Sequence, residues 1–132
     1  MFPSNAVGPV VLVGDLNVFY PEEAIHAMLA AAGFRSAYAA VHGADCRTCP
    51  TPLKAPTIDP AATVDQICDF VLVRQLQLQS GAQGGVGVTV SRLVPTAAAI
   101  AADRPAPGDP TLYPSDHYAV TATLAFEGLV AV

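Results

Sequence analysis

The segment Val10-Val11-Leu12-Val13 stops abruptly at Gly14-Asp15-Leu16-Asn17, and that junction constrains the chain more than any other feature. Four consecutive apolar residues bounded by turn formers have the length of a buried strand, not of a helix. Alternation along a strand puts residues i and i+2 on one face. Asp15 and Asn17 are therefore expected side by side at its C-terminal end. Open α/β sheets hold their ligands at that end. A plain turn built from Gly, Asp and Asn accounts for the same residues without any chemistry.

Further along, the pattern repeats with polar residues at other strand ends. Asp69 precedes the apolar run Phe70–Val73, which reads as a second buried strand. Ser115-Asp116-His117 opens a final strand from about His117 to Phe126. Tyr118, Val120, Ala122, Leu124 and Phe126 are expected on one face of it. Each cluster alone has a dull explanation, but together they are groups that can converge on one phosphate or metal.

The remaining segments supply a helix, loops and one more strand. Pro21-Glu22-Glu23 opens a helix whose apolar positions are Ile25, Met28, Leu29 and Ala32, with Gly33 as its stop and His26 facing solvent. Residues 43–66 are rich in Pro, Thr, Asp and Cys and read as a long irregular loop of the functional or mobile kind. "SGAQGGVG" is a flexible connection with no Lys or Ser/Thr in phosphate-loop register, followed by a half-buried strand through Val86, Val88 and Val90. Residues 95–114, rich in Ala and Pro, read as a surface excursion. Strands outnumber helices, and the last two strands come one after the other without a helix between them. The expectation is an antiparallel or mixed sheet with one face covered.

Composition narrows the function classes. With 132 residues, 52% apolar and 13% charged, the chain suits one packed domain and not a disordered tail. Six basic residues are scattered against a net charge of −5, so there is no basic stripe for a nucleic acid to track. No apolar run is long enough to span a bilayer, and Met1 is not followed by a signal-like n-region and h-region. Three cysteines do not suggest a disulfide scaffold and fit a reducing compartment better. Cys46 and Cys49 have the spacing of half a zinc site, which His42 and Cys68 could complete. Structural zinc sites usually show a second close pair, and this chain has none. The redox reading of Cys46 and Cys49 lacks the expected βα setting.

"VVLVGDLN" (10–17), "DQICDFVLV" (65–73) and "YPSDHYAV" (113–120) resemble, in order and context, the motifs of the endonuclease/exonuclease/phosphatase superfamily of metal-dependent phosphoesterases. "PEEAIHAMLAAAGFRSAY" is similar to the segment after the first motif in that family. The second motif departs slightly, with Cys68 before the aspartate and Phe70 where tyrosine is commoner. The resemblance runs from about Val10 to Phe126. It implies an α/β (α+β) fold, the C-terminal half of a two-sheet α/β sandwich of the DNase I-like type, with residues 1–132 as one incomplete domain.

The same resemblance implies a Mg²⁺- or Mn²⁺-dependent phosphodiester hydrolase. Asp15 would act on the attacking water, and Asn17 would hold that water or a phosphoryl oxygen. His117 would bind a phosphoryl oxygen, Asp69 would fix its tautomer, and Asp116 would sit near the metal. Ser115 reads as a turn residue, since no base-and-orienter pair surrounds it. Family members carry upstream a strand-borne asparagine and a metal-binding glutamate. Asn5 does not stand in the matching context, and neither do Glu22 and Glu23, which come after the first motif. A missing N-terminal half or a partner subunit is therefore expected. A non-catalytic remnant serving as an interaction module is the alternative, as is a nuclease of the same superfamily. "CRTCPTPLKAP" is similar to a loop of neutral sphingomyelinase-like members and points to a lipid or small-molecule phosphodiester. With half a sandwich, about ten inner-face side chains on Val10–Val13, Phe70–Val73 and Tyr118–Phe126 are expected to lack a cover.

Overall fold

A computed structural model describes residues 8–18, 23–52, 66–75 and 89–131. Over the described residues the chain is a small mixed α/β protein with two antiparallel sheets and two short helices. Strand β1 (Val10–Asp15) is followed by helix α1 (Ala24–Ala31), strand β2 (Phe34–Ser36) and helix α2 (Ala37–His42). Strands β3 (Asp69–Arg74), β4 (Thr89–Ala101) and β5 (Ala119–Ala131) complete the order. One sheet runs β1-β3-β2, with β3 antiparallel to both neighbours; the other is the β4-β5 ribbon.

Strand β3 is the centre because it is the run that buries both faces. On one face Phe70 and Leu72 pack with Phe34, and Leu12, Leu16 and Leu29 of the first sheet and α1 close over them. On the other face Val73 packs with Ala37 and Leu93, and Val71 with Ala122 and Leu124 of the second sheet. Gln75 adds a backbone clamp between the sheets: its amide accepts from the Leu93 N–H at 2.9 Å and donates to the Leu93 carbonyl. The face of β3 expected to lack a cover is thus covered by the chain's own β4–β5 ribbon and α2. Among the described residues the shortfall is confined to Val11, Val13 and Phe126, at 41%, 64% and 72% exposure.

Several sequence expectations need correcting. Strand β1 is not buried through its length: Val10 and Leu12 turn to the core, while Val11 and Val13 face out at the sheet edge. Helix α1 buries no residue fully and Met28 is exposed. His26 does not face solvent, because its ring meets Phe70 edge-on with centroids 5.6 Å apart. Residues 95–101 are not a surface excursion but the second half of β4. Pro95 is tolerated because β4 pairs only with β5 and its register shifts between Pro95 and Ala97. Phe126 pairs with Leu93 yet stands in solvent, on the same side of that shift as Leu124.

Helix α2 breaks the stretch before the expected loop. The Ser36 side chain accepts from the Ala39 N–H and donates to Asp45, and Gly43 ends the helix in the left-handed region at φ 89°. Gly33, at φ 86°, is the stop expected for α1. Pro21 and Glu22, the loop residues 53–65, and 76–88 with Val86 and Val88 lie outside the described residues.

Candidate functional site

Asp15 is the last residue of β1 and Asp69 the first of β3, and the two are register partners. Alternation puts both on the face of the sheet that carries Val71 and Val73, so they stand at the end of the seam between the two sheets. Gly14 precedes Asp15 with φ 146°, a backbone that a side chain at this position would strain. His117 arrives from the loop before β5. Its Nδ1 lies 2.8 Å from Asp69 Oδ2 and 3.9 Å from Asp15 Oδ2. An ionised carboxylate only accepts, so the 2.8 Å contact requires the proton on Nδ1. That leaves Nε2 as the ring atom open to another ligand.

The three side chains come from positions 15, 69 and 117 and offer ligand atoms all within 4.8 Å of one another. Two carboxylates facing each other across a ladder are unfavourable without a compensating positive charge. The His117 ring places its Nδ1–H donor against one of them, Asp69. The oxygen donors suit a hard divalent cation such as Mg²⁺ or Mn²⁺, with Asp15 and Asp69 as the residues that would hold it.

Asn17 and Asp116 sit differently from expectation. The strand ends at Asp15, so Asn17 does not continue its face. It adopts the left-handed region at φ 49°, and its N–H donates to Asp15 Oδ1 at 2.7 Å. Asp116 is not part of the three-residue cluster; its carbonyl accepts from Thr51 N–H at 2.8 Å and its carboxylate from Ser115 Oγ at 3.4 Å. Ser115 is a turn residue as expected, its Oγ accepting from the His117 N–H.

Sequence reasoning missed the buried threonines that hold these pieces. Thr48 and Thr51 are both 0% exposed. Thr48 Oγ1 accepts from the backbone N–H of Cys68 at 2.9 Å and of Asp69 at 3.1 Å. Its carbonyl accepts from Tyr118 N–H at 2.7 Å. Thr51 Oγ1 donates to the Ser115 carbonyl at 3.0 Å.

The cysteines do not form the zinc arrangement expected from half a site. Cys46 hydrogen-bonds Tyr38, His42 Nε2 lies 2.8 Å from the Ala98 carbonyl, and Cys49 meets Cys68. Burial pushes the Cys68 thiol up to about 12, with Cys49, Asp15 and Asp69 adding to the shift. Burial also raises Cys49, with a contribution from Asp116. Both thiols are thus held protonated beneath the carboxylates. The Arg47 guanidinium lies 5.8 Å from the centroid of the Tyr118 ring, bringing a cation to the loop that carries His117. A cavity of about 250 Å³ lined by His26, Phe34, Phe70 and Asp45 opens on the opposite face of the sheet from the carboxylates and is separate from them. No helix among the described residues is long and apolar enough to cross a membrane. Compared with family models, curated proteins and solved structures, the chain matches none of them.

Proposed function

We propose that the chain is a metal-dependent phosphodiester hydrolase built on half of a DNase I-like sandwich. The observation that carries the reading is the His117 Nδ1–Asp69 contact at 2.8 Å with Asp15 across the ladder. It joins three motifs that the sequence keeps far apart.

A phosphodiester resists attack because its oxygens repel nucleophiles and charge builds on the leaving oxygen. Asp15 and Asp69 would hold a Mg²⁺ or Mn²⁺ ion, which would supply neutralisation of that charge. Asp15 orients the attacking water and takes its proton. Asp69 holds the His117 ring through Nδ1, so that in the protonated ring Nε2–H would donate to a phosphoryl oxygen. Asp116 lies on the same loop as His117 but outside the three-residue cluster, and Asn17 shapes the turn that presents Asp15. The scattered basic residues favour a lipid or small-molecule phosphodiester over nucleic acid.

Hydrolysis of bis-nitrophenyl phosphate with Mn²⁺ present tests the reading. Asp15→Asn and His117→Ala should each lower turnover by about 10²-fold or more, the scale of losing an acid–base partner. Variants as fast as wild type would reject it. The exposed Val11 and Val13 on edge strand β1 favour a second reading, an interaction module without catalysis. A folded wild type that turns over nothing and binds no metal would support that alternative.

A further inference from the structure

We infer that Thr48 is a positioning residue for the His117–Asp69 pair, an inference that rests on the phosphodiesterase reading of that pair. One buried side chain and its own carbonyl tie together the two segments that must meet. Oγ1 receives the N–H groups of Cys68 and Asp69, which sets where β3 begins and hence where the Asp69 carboxylate stands. The Thr48 carbonyl receives the N–H of Tyr118, the residue after His117. Its own N–H is anchored on the Gln66 carbonyl at 2.9 Å, so the residue is held from both ends.

Thr51 reaches the Ser115–Asp116 side, and Ser115 reaches Asp116 and the His117 N–H. The geometry needs a hydroxyl in particular. Two N–H groups converge on one oxygen at full burial, and valine, of almost the same shape, would leave both without an acceptor. Those amides would then turn to seek other partners, carrying Asp69 away from Nδ1. Partners that orient a reacting group in this manner typically change activity by about 10–100-fold when removed.

The test pairs Thr48→Val with Thr48→Ser. The long-range ¹⁵N–¹H spectrum of the neutral His117 ring should show the Nδ1–H form in wild type and in Thr48→Ser. In Thr48→Val it should shift to a mixture of tautomers. On bis-nitrophenyl phosphate, kcat should fall by about 10-fold or more in Thr48→Val with KM within about twofold, and recover in Thr48→Ser. A folded Thr48→Val with the wild-type ring spectrum would overturn the inference, as would a Thr48→Ser that behaves like valine. If Thr48→Val does not fold, backbone exchange in wild type decides. The Cys68 and Asp69 amides should exchange as slowly as those inside β3, and exchange at the rate of an open loop would refute it. A wild type that lacks turnover removes the phosphodiesterase reading, while the ring spectrum still decides the role of Thr48.

Discussion

Replacing Asp15 by asparagine should make the metal-free protein more stable, although it removes a residue of the candidate site. Asp15 and Asp69 are direct register partners with ligand oxygens within 4.8 Å. At that separation Coulomb repulsion is about 0.9 kcal/mol in a water-like dielectric and about 3.5 kcal/mol at an effective dielectric of about 20. The side chains are 37% and 20% exposed, so the lower figure governs. A gain of about 0.5–1 kcal/mol remains, matching the roughly 0.2–1 kcal/mol of facing cross-strand pairs. The amide keeps Oδ1 as acceptor for the Asn17 N–H, so the turn after β1 should survive. Denaturant titrations in EDTA should show the gain, and thermal midpoints should rise by about 2–4 °C. The same variant should lose most of the stabilisation that Mn²⁺ gives wild type. An Asp15→Asn protein less stable than wild type in EDTA would refute the reasoning.

Other perturbations probe other parts of the account. Leu72→Ala empties the centre of the cluster with Phe34 and Phe70 and should cost about 2–5 kcal/mol in denaturant unfolding. Ser36→Ala removes the cap of α2 and the partner of Asp45 and should cost about 0.5–2 kcal/mol by the same measurement. The folded state keeps the Cys68 proton up to about 12, whereas the unfolded chain releases it near 9.0. Stability should therefore be unaffected by this group below the lower value and fall as pH rises between the two. Cys68→Ala should flatten that decline in denaturant titrations. Val13→Lys, at a side chain 64% exposed on an edge strand, should leave stability within about 0.5 kcal/mol and reduce binding of a hydrophobic dye.

The legibility of each element in the sequence depends on how local its signal is. The apolar run at Phe70–Val73 needs only its own composition to be recognised as a central strand, and the structure puts β3 there. The strand-end positions of Asp15 and Asp69 were equally legible, because each is fixed by the start or stop of an apolar run, while the strand expected from about His117 begins at Ala119 and leaves His117 in the loop before it. Strand β2 and helix α2 were not, since three and six residues are too short to show a period. Ser36 and Gly43 were their only marks. Residues 95–101 misled because alanine and proline disfavour strands, and only pairing with β5 and the shift at Pro95 make them one. Thr48 was invisible for a different reason: its role lies in contacts about 20 and 70 positions away in the chain. Asn17 was misplaced because alternation was extended past the end of β1.

The most direct measurement is calorimetric titration of Mn²⁺ into wild type, Asp15→Asn and Asp69→Asn, each checked for folding by circular dichroism. The account predicts saturable binding of a single ion to wild type, weakened by about tenfold or more in either variant, with bis-nitrophenyl phosphate turnover lost in parallel. Folded wild type that takes up no ion, or variants that bind it as tightly as wild type, would contradict the claim that these carboxylates form a metal-assisted phosphodiester site.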